Sequence, residues 1–570
     1  MRSYFPLFLM AVPFMALAQT PPPNLPTNLP SPLTQDLIRD RQERLLDEQQ
    51  QRLQELQQLP GKRAEPSAPP APEDERCFAI EQIEISGASL LSEADRSAIL
   101  APFADSCLGV SQLNELLKAI TNHYVDRGYV TTRAYLPQQD LSARTLKITV
   151  VEGRLEGLDS SALASERELA MSFPGETGEI LNLRELEQLV DNLNRLPSRP
   201  AQLELVPGQQ VGGSRVGLKG ERSKPWHANI NRHNDGQRST GEQQWGLGLT
   251  WDSPLGLADQ LSLRASRDAV SDSYRHSHAQ SLSYSIPYGW WRVDYSYSQS
   301  YYRTMGQTAD GFSFETDGDS QQHALRAERV LHRDSVSKTA FNTGVSHVRT
   351  NNFILGNRID PSSNRLSEWQ LGFNHGRRIG TAFVNADIGW QRGIGAFDAQ
   401  GNGDPRGDQP VARYNKYSLT LSYLQPFSLW GERFSFDSLA TGQKSEDPLF
   451  SSQRISVGGL NSVRAFKDQS LSGDSGGYWR NQLRWTRPVT WAPLQPFVQQ
   501  YGAALAYDVG VISHDQHNPG ASGRLSGHAL ELSARGEHLA ASVTFAHSLE
   551  RPDVITERER PVYFRLDLFF

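Results

Sequence analysis

Apolar and polar side chains alternate with a period of two from about Pro225 to the last residue. The apolar members include Trp245, Leu247, Leu249 and Trp251, then Trp291, Val293, Tyr295 and Tyr297, and finally Phe564, Leu566, Leu568 and Phe570. Such alternation predicts β-strands with one apolar and one polar face. Segments of about ten residues, often bounded by aromatic residues and separated by loops rich in Asp, Gly and Asn, are typical of outer-membrane barrels.

A soluble β-sandwich also alternates, so the composition of the polar face must separate the two possibilities. Here that face carries Ser, Thr, Asp, Arg and Gly, while aromatic residues bound the apolar face. A closed barrel can hold such strands in lipid because it satisfies every backbone group internally. At roughly twenty-two residues per strand with its share of loop, residues 223–570 give about sixteen strands. We therefore predict a transmembrane antiparallel β-barrel over this range.

Residues 76–222 have a mixed α+β pattern that occurs twice, which predicts tandem domains over 76–152 and 153–222. In the first domain, Ala79–Ser86 alternates like a strand, and Ser111 is a candidate N-cap for a helix that Gly128 ends. The remaining predicted elements are strands at Tyr129–Leu136 and Thr145–Glu152, then strands near Arg154–Leu158, Ala201–Val206 and Arg215–Leu218, a helix around Leu163–Ser172 and a helix capped by Asn182.

The N-terminus has the layout of an export signal. Arg2 precedes a short apolar run that ends in the small residues Ala16 and Ala18, which predicts a signal peptide over residues 1–18. A Pro-rich segment (19–32) follows, and Pro-rich chain favours extended, unpacked conformations.

A helix over residues 33–59 and a flexible linker over 60–75 complete the region before the tandem domains. The helix carries only a thin apolar stripe, which includes Leu33, Leu37 and Leu45. Such a stripe suits either a solvated spacer or coiled-coil fragment, or a helix inside a polar, water-filled lumen. Spacing alone favours the spacer.

Composition further limits the class of protein to which this chain can belong. The mean hydropathy is −0.52 and no run of 18 or more apolar residues occurs after the N-terminus, so membrane-spanning helices are not expected. A net charge of −7 gives no reason to expect a nucleic-acid partner. The two cysteines, Cys77 and Cys107, are predicted to form a disulfide, as a lone pair in an exported protein usually does.

The sequence offers no convincing motif for catalysis or for metal binding. The histidines are scattered, and neither HExxH nor CxxC occurs. The acidic stretch Asp398–Asp408 superficially resembles a calcium loop, but it lacks the EF-hand spacing and its terminal glutamate, which favours a solvated loop. We expect no enzyme activity, no cofactor and no metal.

Several segments resemble the paired POTRA domains of two-partner secretion transporters, the TpsB family of haemolysin-activator and contact-dependent-inhibition type. They are Tyr124–Leu158, Phe173–Ser198 and Val206–Val216. The pair Cys77 and Cys107 also matches that group, which commonly has two cysteines in its first POTRA domain. The resemblance implies two periplasmic POTRA domains before the barrel.

Ile455–Trp485 resembles the long sixth extracellular loop of the wider superfamily, here expected at about 443–478. The family motif Val-Arg-Gly-Phe/Tyr is represented by Val463, Arg464, Ala465 and Phe466. Alanine in place of glycine removes the freedom to adopt a positive φ without cost, so an altered backbone is expected at Ala465.

A second motif, Ala506-Tyr507-Asp508-Val509-Gly510, resembles a family strand whose aspartate faces the lumen. The resemblance implies that Arg464 folds back into the barrel and pairs with Asp508, with Tyr507 and Gly510 as the other marked positions of the strand. A guanidinium can bind a carboxylate bidentately, and a narrow lumen reduces screening by solvent.

The resemblance also implies a function. In relatives an N-terminal helix plugs the pore, which gives residues 33–59 the role of a plug, and a C-terminal aromatic residue, here Phe570, is read by the barrel-assembly machinery. The expected function is secretion of a large partner exoprotein, a cytolysin, adhesin or contact-dependent toxin, recognised by the POTRA domains and passed through the lumen. The expected location is the Gram-negative outer membrane, in contact with its lipid. The alternatives are a barrel assembly or insertion factor, and a passive porin or adhesin.

Overall fold

The computed structural model describes residues 32–61, 77–104, 106–159, 163–270, 272, 274–307, 311–402, 409–514 and 522–570. The predicted signal peptide, nearly all of the Pro-rich segment and most of the linker over 60–75 lie outside these residues. The first described element is helix α1 (Pro32–Gln57), close to the predicted bounds. None of the described helices is long and apolar enough to cross a membrane.

The first α+β domain contains a helix packed on two small sheets. Its elements are β1 (Cys77–Ile80), β2 (Gln82–Ser86), α2 (Glu93–Leu100), β3 (Ser106–Gly109), α3 (Val110–Asp126), β4 (Arg133–Tyr135) and β5 (Thr145–Val151). Strand β1 pairs with β3, and β5 lies between β2 and β4. Leu113, Leu116 and Ile120 on α3 are buried against Leu146 and Ile148 of β5, so one apolar helix face and one sheet face form the core.

Two predicted boundaries in this domain are wrong for local reasons. Gly109 rather than Ser111 is the N-cap of α3. The predicted strand Tyr129–Leu136 shortens to Arg133–Tyr135, because the chain makes tight turns after Gly128 before it can pair. The sequence pattern shows the apolar positions of these turns but not their backbone hydrogen bonds.

The second α+β domain repeats the parallel-plus-antiparallel sheet. Its elements are β6 (Arg154–Asp159), α4 (Glu166–Ser172), α5 (Leu183–Asn194), β7 (Gln202–Pro207) and β8 (Gly213–Lys219), with β8 between β6 and β7. Ser165 and Glu168 form a capping box at the start of α4, and Asn182 caps α5 as predicted. Short 3-10 helices occur at Ala101–Phe103, Leu141–Ala143, Asp360–Ser362 and Ser451–Gln453.

Sixteen antiparallel strands form a closed barrel. They are β9 (Trp226–His233), β10 (Gln244–Asp252), β11 (Gln260–Asp268), β12 (His276–Tyr288), β13 (Trp291–Gln307), β14 (Ser313–Arg333), β15 (Ser337–Ile354), β17 (Asn364–Ile379), β18 (Ala382–Ile394), β19 (Asn415–Leu429), β20 (Glu432–Ser445), β23 (Gly476–Pro488), β24 (Gln500–Ile512), β25 (Gly523–Arg535), β26 (Leu539–Glu550) and β27 (Val562–Phe569). Three short strands lie in loops and are not counted among the sixteen: β16 (Asn357–Arg358), β21 (Ile455–Val457) and β22 (Leu471–Gly473).

The barrel closes where the last strand meets the first. Five residue pairs, from Arg565–His233 to Phe569–Asn229, join β27 to β9, and the backbone of Phe570 exchanges two hydrogen bonds with Ala228. Asn234 extends this seam with its side chain, because its amide donates to Val562 O (2.8 Å) and accepts from Phe564 N (2.8 Å).

The structure joins Cys77 and Cys107 in a disulfide with a Cα–Cα distance of 5.3 Å. The bond links the paired strands β1 and β3. We expect Cys77→Ser/Cys107→Ser to destabilise the first α+β domain by on the order of 3 kcal/mol, because the bridge closes a loop of about thirty residues.

In the intact chain, amide hydrogen exchange of Phe78 and Leu108 should therefore accelerate by about 100-fold in the double variant. The amides of the second domain serve as the internal control and should be unaffected. Unchanged exchange at Phe78 and Leu108 would show that the strand pairing does not need the bridge.

Candidate functional site

The loop between β20 and β23 (residues 446–475, the sixth loop) folds into the barrel. Its tip is buried, with Val463, Arg464, Ala465 and Phe466 each no more than 3% exposed. Strands β21 and β22 pair with each other at its base. The predicted bounds of this loop, about 443–478, also include the last residues of β20 and the first residues of β23.

Arg464 makes its main contact with Asp508 on the inner face of β24. The Arg464 Nε and Nη2 atoms donate to the two carboxylate oxygens at 2.9 and 3.1 Å, and the Arg464 backbone N–H also donates to Asp508, at 3.1 Å. Nη1 donates to Gln482 Oε1 at 2.7 Å, and Tyr563 Oη donates to the carbonyl of Arg464 at 3.0 Å. The side chains of Arg464 and Asp508 are 4% and 2% exposed, so water screens the pair poorly.

Glycines on two barrel strands make room for the loop tip. A Cβ added at Gly527 would lie 2.1 Å from Cβ of Ala465, and one added at Gly510 would lie 2.8 Å from Cβ of Val457. Gly510 therefore marks a close approach between strand and loop, which is one reason for glycine in a strand. Ala465 does not adopt a positive φ, so alanine fits this backbone without left-handed strain.

Apolar contacts hold the rest of the tip. Val463 and Phe466 belong to a buried cluster with Tyr478, Leu525 and Ile555, which come from β23, β25 and the loop between β26 and β27. This cluster buries the tip against the barrel wall as a protein core would.

The last loop also binds the sixth loop, through Glu559. Its carboxylate accepts hydrogen bonds from the backbone N–H groups of Lys467 (2.6 Å), Asp468 (3.1 Å) and Gln469 (3.0 Å). Lys467 in turn forms an ion pair with Glu242 between β9 and β10. The sixth loop is thus fixed to both sides of the barrel seam.

Four of the residues predicted from the sequence lie outside the Arg464 site. Tyr507 is 41% exposed on the outer face of β24, because neighbouring strand residues point to opposite faces, and it does not join the Arg464 site. Phe570 lies at the seam, and Cys77 and Cys107 lie in the first domain. The disulfide predicted for the two cysteines is confirmed, whereas the roles predicted for Tyr507 and Phe570 stay predictions.

Helix α1 lies inside the barrel. Gln49 donates to Asp387 Oδ2 at 2.7 Å and accepts from Asn385 (3.0 Å) and Ser422 (2.9 Å), all on inner faces of strands. The solvated spacer, which spacing alone favoured, is therefore the wrong interpretation. A helix with a narrow apolar stripe and many polar side chains suits the polar inner face of the barrel.

A charged side chain of the helix, Arg52, is also buried. Arg52 Nη2 lies 2.5 Å from Glu328 Oε2 of β14, and the two side chains are 6% and 5% exposed. Arg326 binds Glu48 at 2.9 Å, and Arg292 also faces Glu328 at 3.4 Å. These ion pairs between the helix and the wall thus lie in the second half of the helix.

The two ends of α1 have different neighbours. Near its start, Arg41 and Gln42 donate to the carbonyls of Ser452 and Ser456 in the sixth loop, both at 2.9 Å. Beyond its end, Leu59 packs with Phe383, and its carbonyl accepts from Arg378 at 2.8 Å. The helix therefore reaches from the sixth loop to the opposite end of the barrel, where the α+β domains lie.

Sequence reasoning missed Gln49, Arg52, Glu328 and Glu559. One signal was available, since β14 carries Arg326 and Glu328 on the inner face of a strand predicted to span the membrane. Inward charges in such a strand need partners or water, and the helix supplies the partners. Glu559 lies in a loop without a motif, so nothing in the sequence marks it.

The described residues offer no group of three or more His, Cys, Asp or Glu suited to a metal ion. Gly473–Gly477 matches the pattern G-x-S-x-G of serine hydrolases, but it lies at the base of the sixth loop. Ser475 Oγ donates to the carbonyl of Ser445 at 3.0 Å, and no strand-to-helix turn presents it as a nucleophile in the described chain.

A family model of the haemolysin secretion/activation proteins ShlB, FhaC and HecB matches residues 212–534. The chain belongs to this family. Two POTRA models match residues 78–153 and 154–207, so the α+β domains are its first and second POTRA domains. As a member of the two-partner secretion transporters, the protein resides in the outer membrane with its POTRA domains in the periplasm.

Named relatives cover nearly the whole chain. The outer membrane transporter CdiB of Escherichia coli is 34% identical over 551 residues, which are 96% of this chain and 92% of the relative. The hemolysin transporter ShlB of Serratia marcescens is 30% identical over 498 residues, 86% and 87% of the two chains. The solved structure of CdiB from Escherichia coli superposes with a TM-score of 0.89 at 34% identity and covers 95% of this chain and 99% of its own.

We expect deletion of residues 31–59 to raise ion conductance several-fold in planar bilayers, because α1 occupies the lumen of a barrel whose inner face is polar. A heat-shift gel would establish that the truncated barrel still folds. Conductance equal to that of the intact chain would show that the sixth loop alone closes the pore.

Proposed function

We propose that this chain secretes one large partner exoprotein across the outer membrane, in the way its family does. The observation that carries the proposal is a pore closed from within by two separate segments, helix α1 and the sixth loop. Polar contacts and ion pairs hold the helix, and a buried Arg464–Asp508 pair holds the loop. A passive porin has no need for such occupants.

The class of partner is inferred from the relatives, which include a hemolysin transporter and outer membrane transporters named CdiB. The partner arrives unfolded in the periplasm and meets the POTRA domains. Helix α1 and the sixth loop then leave the path, and folding of the exported chain outside supplies the drive. Outer-membrane lipid surrounds the barrel, and the barrel-assembly machinery inserts it through its C-terminal strand.

An exposed sheet edge of the second POTRA domain suits an extended segment of the partner. Strand β7 pairs with β8 on one side, while the outer side of β6 is already occupied by residues 178–180. On β7, Leu205 and Val206 are 41% and 44% exposed. Main-chain pairing with such an edge supplies affinity without demanding one sequence.

A single thiol tests this edge. Because the two natural cysteines form a disulfide, Val206→Cys introduces one reactive thiol in the described chain. We expect a thiol-directed crosslinker at Val206→Cys to capture the secretion domain of the partner. Val110→Cys, exposed at the start of α3 in the first POTRA domain, is the matched control. Equal capture at both positions would place recognition elsewhere.

Arg464→Ala tests the loop mechanism. Removal of one member of a buried ion pair costs about 3–5 kcal/mol, because the other charge is left unpaired. We expect a folded barrel whose secretion of the co-expressed partner falls at least about tenfold, a change that 1.4 kcal/mol would produce. Partner on the surface and in the medium would be measured, with Arg349→Ala, an exposed arginine of β15, as the control.

Normal export by a correctly inserted Arg464→Ala protein would remove the loop mechanism. No export of the co-expressed partner by the unaltered chain would remove either that partner or the secretion function. Barrel insertion, the activity of an assembly factor, would then be assayed.

A further inference from the structure

Five charged side chains from three parts of the chain meet at the periplasmic end of the lumen. We call them the junction cluster: Glu55 on α1, Glu187 and Asp191 on α5 of the second POTRA domain, and Arg333 and Lys338 beside the turn between β14 and β15. Arg333 contacts both Glu187, at 3.1 Å, and Asp191. Lys338 Nζ lies 3.1 Å from Asp191 Oδ2 and 2.8 Å from Glu55 Oε2.

Lys338 therefore binds the helix in the pore and the POTRA domain with one ammonium group. Its side chain is 11% exposed, and those of Arg333 and Asp191 are 3% and 9% exposed. Glu55 is 31% exposed, which leaves it the most accessible member. The backbone supports the same junction, since Gly61 N donates to Ser335 O of this turn at 2.9 Å.

The cluster is electrically balanced only when all three parts are present. Arg184 binds Glu187 at 2.8 Å and completes a set of three cations, which faces the three anions Glu55, Glu187 and Asp191. If α1 leaves while α5 stays docked, Glu55 is lost and the three cations face only the two anions Glu187 and Asp191. An unpaired buried charge is costly, whereas the same charge exposed to water costs little.

This asymmetry sets the sign of the coupling. With α5 docked, the departure of Glu55 leaves one uncompensated positive charge in a buried cluster. With α5 displaced, Lys338 and Arg333 are open to water, and the departure of Glu55 costs much less. Docking of the POTRA domain thus strengthens the hold on α1, and by thermodynamic reciprocity α1 strengthens the docking.

We propose that Lys338 couples the second POTRA domain to helix α1, so that displacement of α5 releases the helix from the pore. Lys338 is a positioning residue, because it acts through Glu55 and Asp191 and touches no transported chain. The inference rests on the proposed function, in which a partner engages the POTRA domains before the pore opens. Through Lys338, binding of a partner to the POTRA domain would weaken the contacts that hold α1 in the lumen.

The reciprocal effect provides the test. Gly289 N, in the turn between β12 and β13, donates to Met171 O of the second POTRA domain at 2.8 Å, and its carbonyl accepts from Asn192 at 2.9 Å. Exchange of the Gly289 amide therefore reports on POTRA docking at a place that Glu55 does not touch. We expect Glu55→Gln in the intact chain to accelerate this exchange at least about fivefold, the lower end of typical coupling between sites.

Glu48→Gln is the matched control. Glu48 lies two turns earlier on α1, is 33% exposed, and pairs with Arg326 on the barrel wall, away from the POTRA domain. Because each variant removes an ion pair that holds α1 in the pore, we expect both Glu48→Gln and Glu55→Gln to raise conductance. Glu48→Gln should nevertheless leave Gly289 exchange within about twofold of the unaltered chain, as for an uncoupled site. In a Lys338→Met background, Glu55→Gln should no longer accelerate the exchange.

Two outcomes would overturn the proposal. One is a Gly289 amide that exchanges equally fast with and without Glu55→Gln while conductance rises. The other is an acceleration by Glu55→Gln that persists in Lys338→Met. Neither measurement uses the secreted partner, so a failed secretion assay with these results intact would count against the proposed function and not against the coupling.

Discussion

Every backbone N–H and C=O group in the hydrocarbon must have a partner within the protein, and the rest of the structure depends on that constraint. It requires the sheet to close, which β27 and β9 achieve over five residue pairs, Asn234 and Phe570. A closed sheet of this size encloses a lumen too wide for its own side chains to fill. The alternation that places apolar residues in lipid also lines that lumen with polar ones. Any segment that closes the pore must therefore bind to a polar wall.

The two occupants meet this wall in different ways. The sixth loop brings an apolar tip and one arginine, and glycines at positions 510 and 527 let it approach the strands closely. Helix α1 brings Gln49, Arg52 and Glu55, whose partners lie on several strands. A fully buried tip resembles a core, while most positions of the helix stay half-buried. Removal of the helix therefore exposes only the apolar side chains of its narrow stripe, such as Leu33 and Leu56, and water can replace many of its hydrogen bonds.

The sequence predicted more of the fold than of the functional site. Period-two alternation persists through the barrel and predicted the strands, while the length of the region gave their approximate number. The family motifs paired Arg464 with Asp508. The position of α1 did not follow from the spacing of its apolar residues, because a thin apolar stripe suits solvent as well as a polar lumen, and only the family resemblance implied a plug. The contact between Asp191 and Lys338 joins residues far apart in sequence, and no local pattern marks such a pair. Near Tyr129, turn hydrogen bonds outweighed strand propensity.

Closure and release make opposite demands on the same contacts. A helix held by one apolar core would cost too much to remove in a compartment that offers no nucleotide as a source of energy. A helix held by hydrogen bonds of about 1 kcal/mol each and by partly hydrated ion pairs can be firmly seated and still be released when a few contacts fail together. The buried pairs are the exception, because loss of one partner strands a charge. Release must therefore begin where a second element can uncover that charge, and at the periplasmic end of α1 that element is the second POTRA domain.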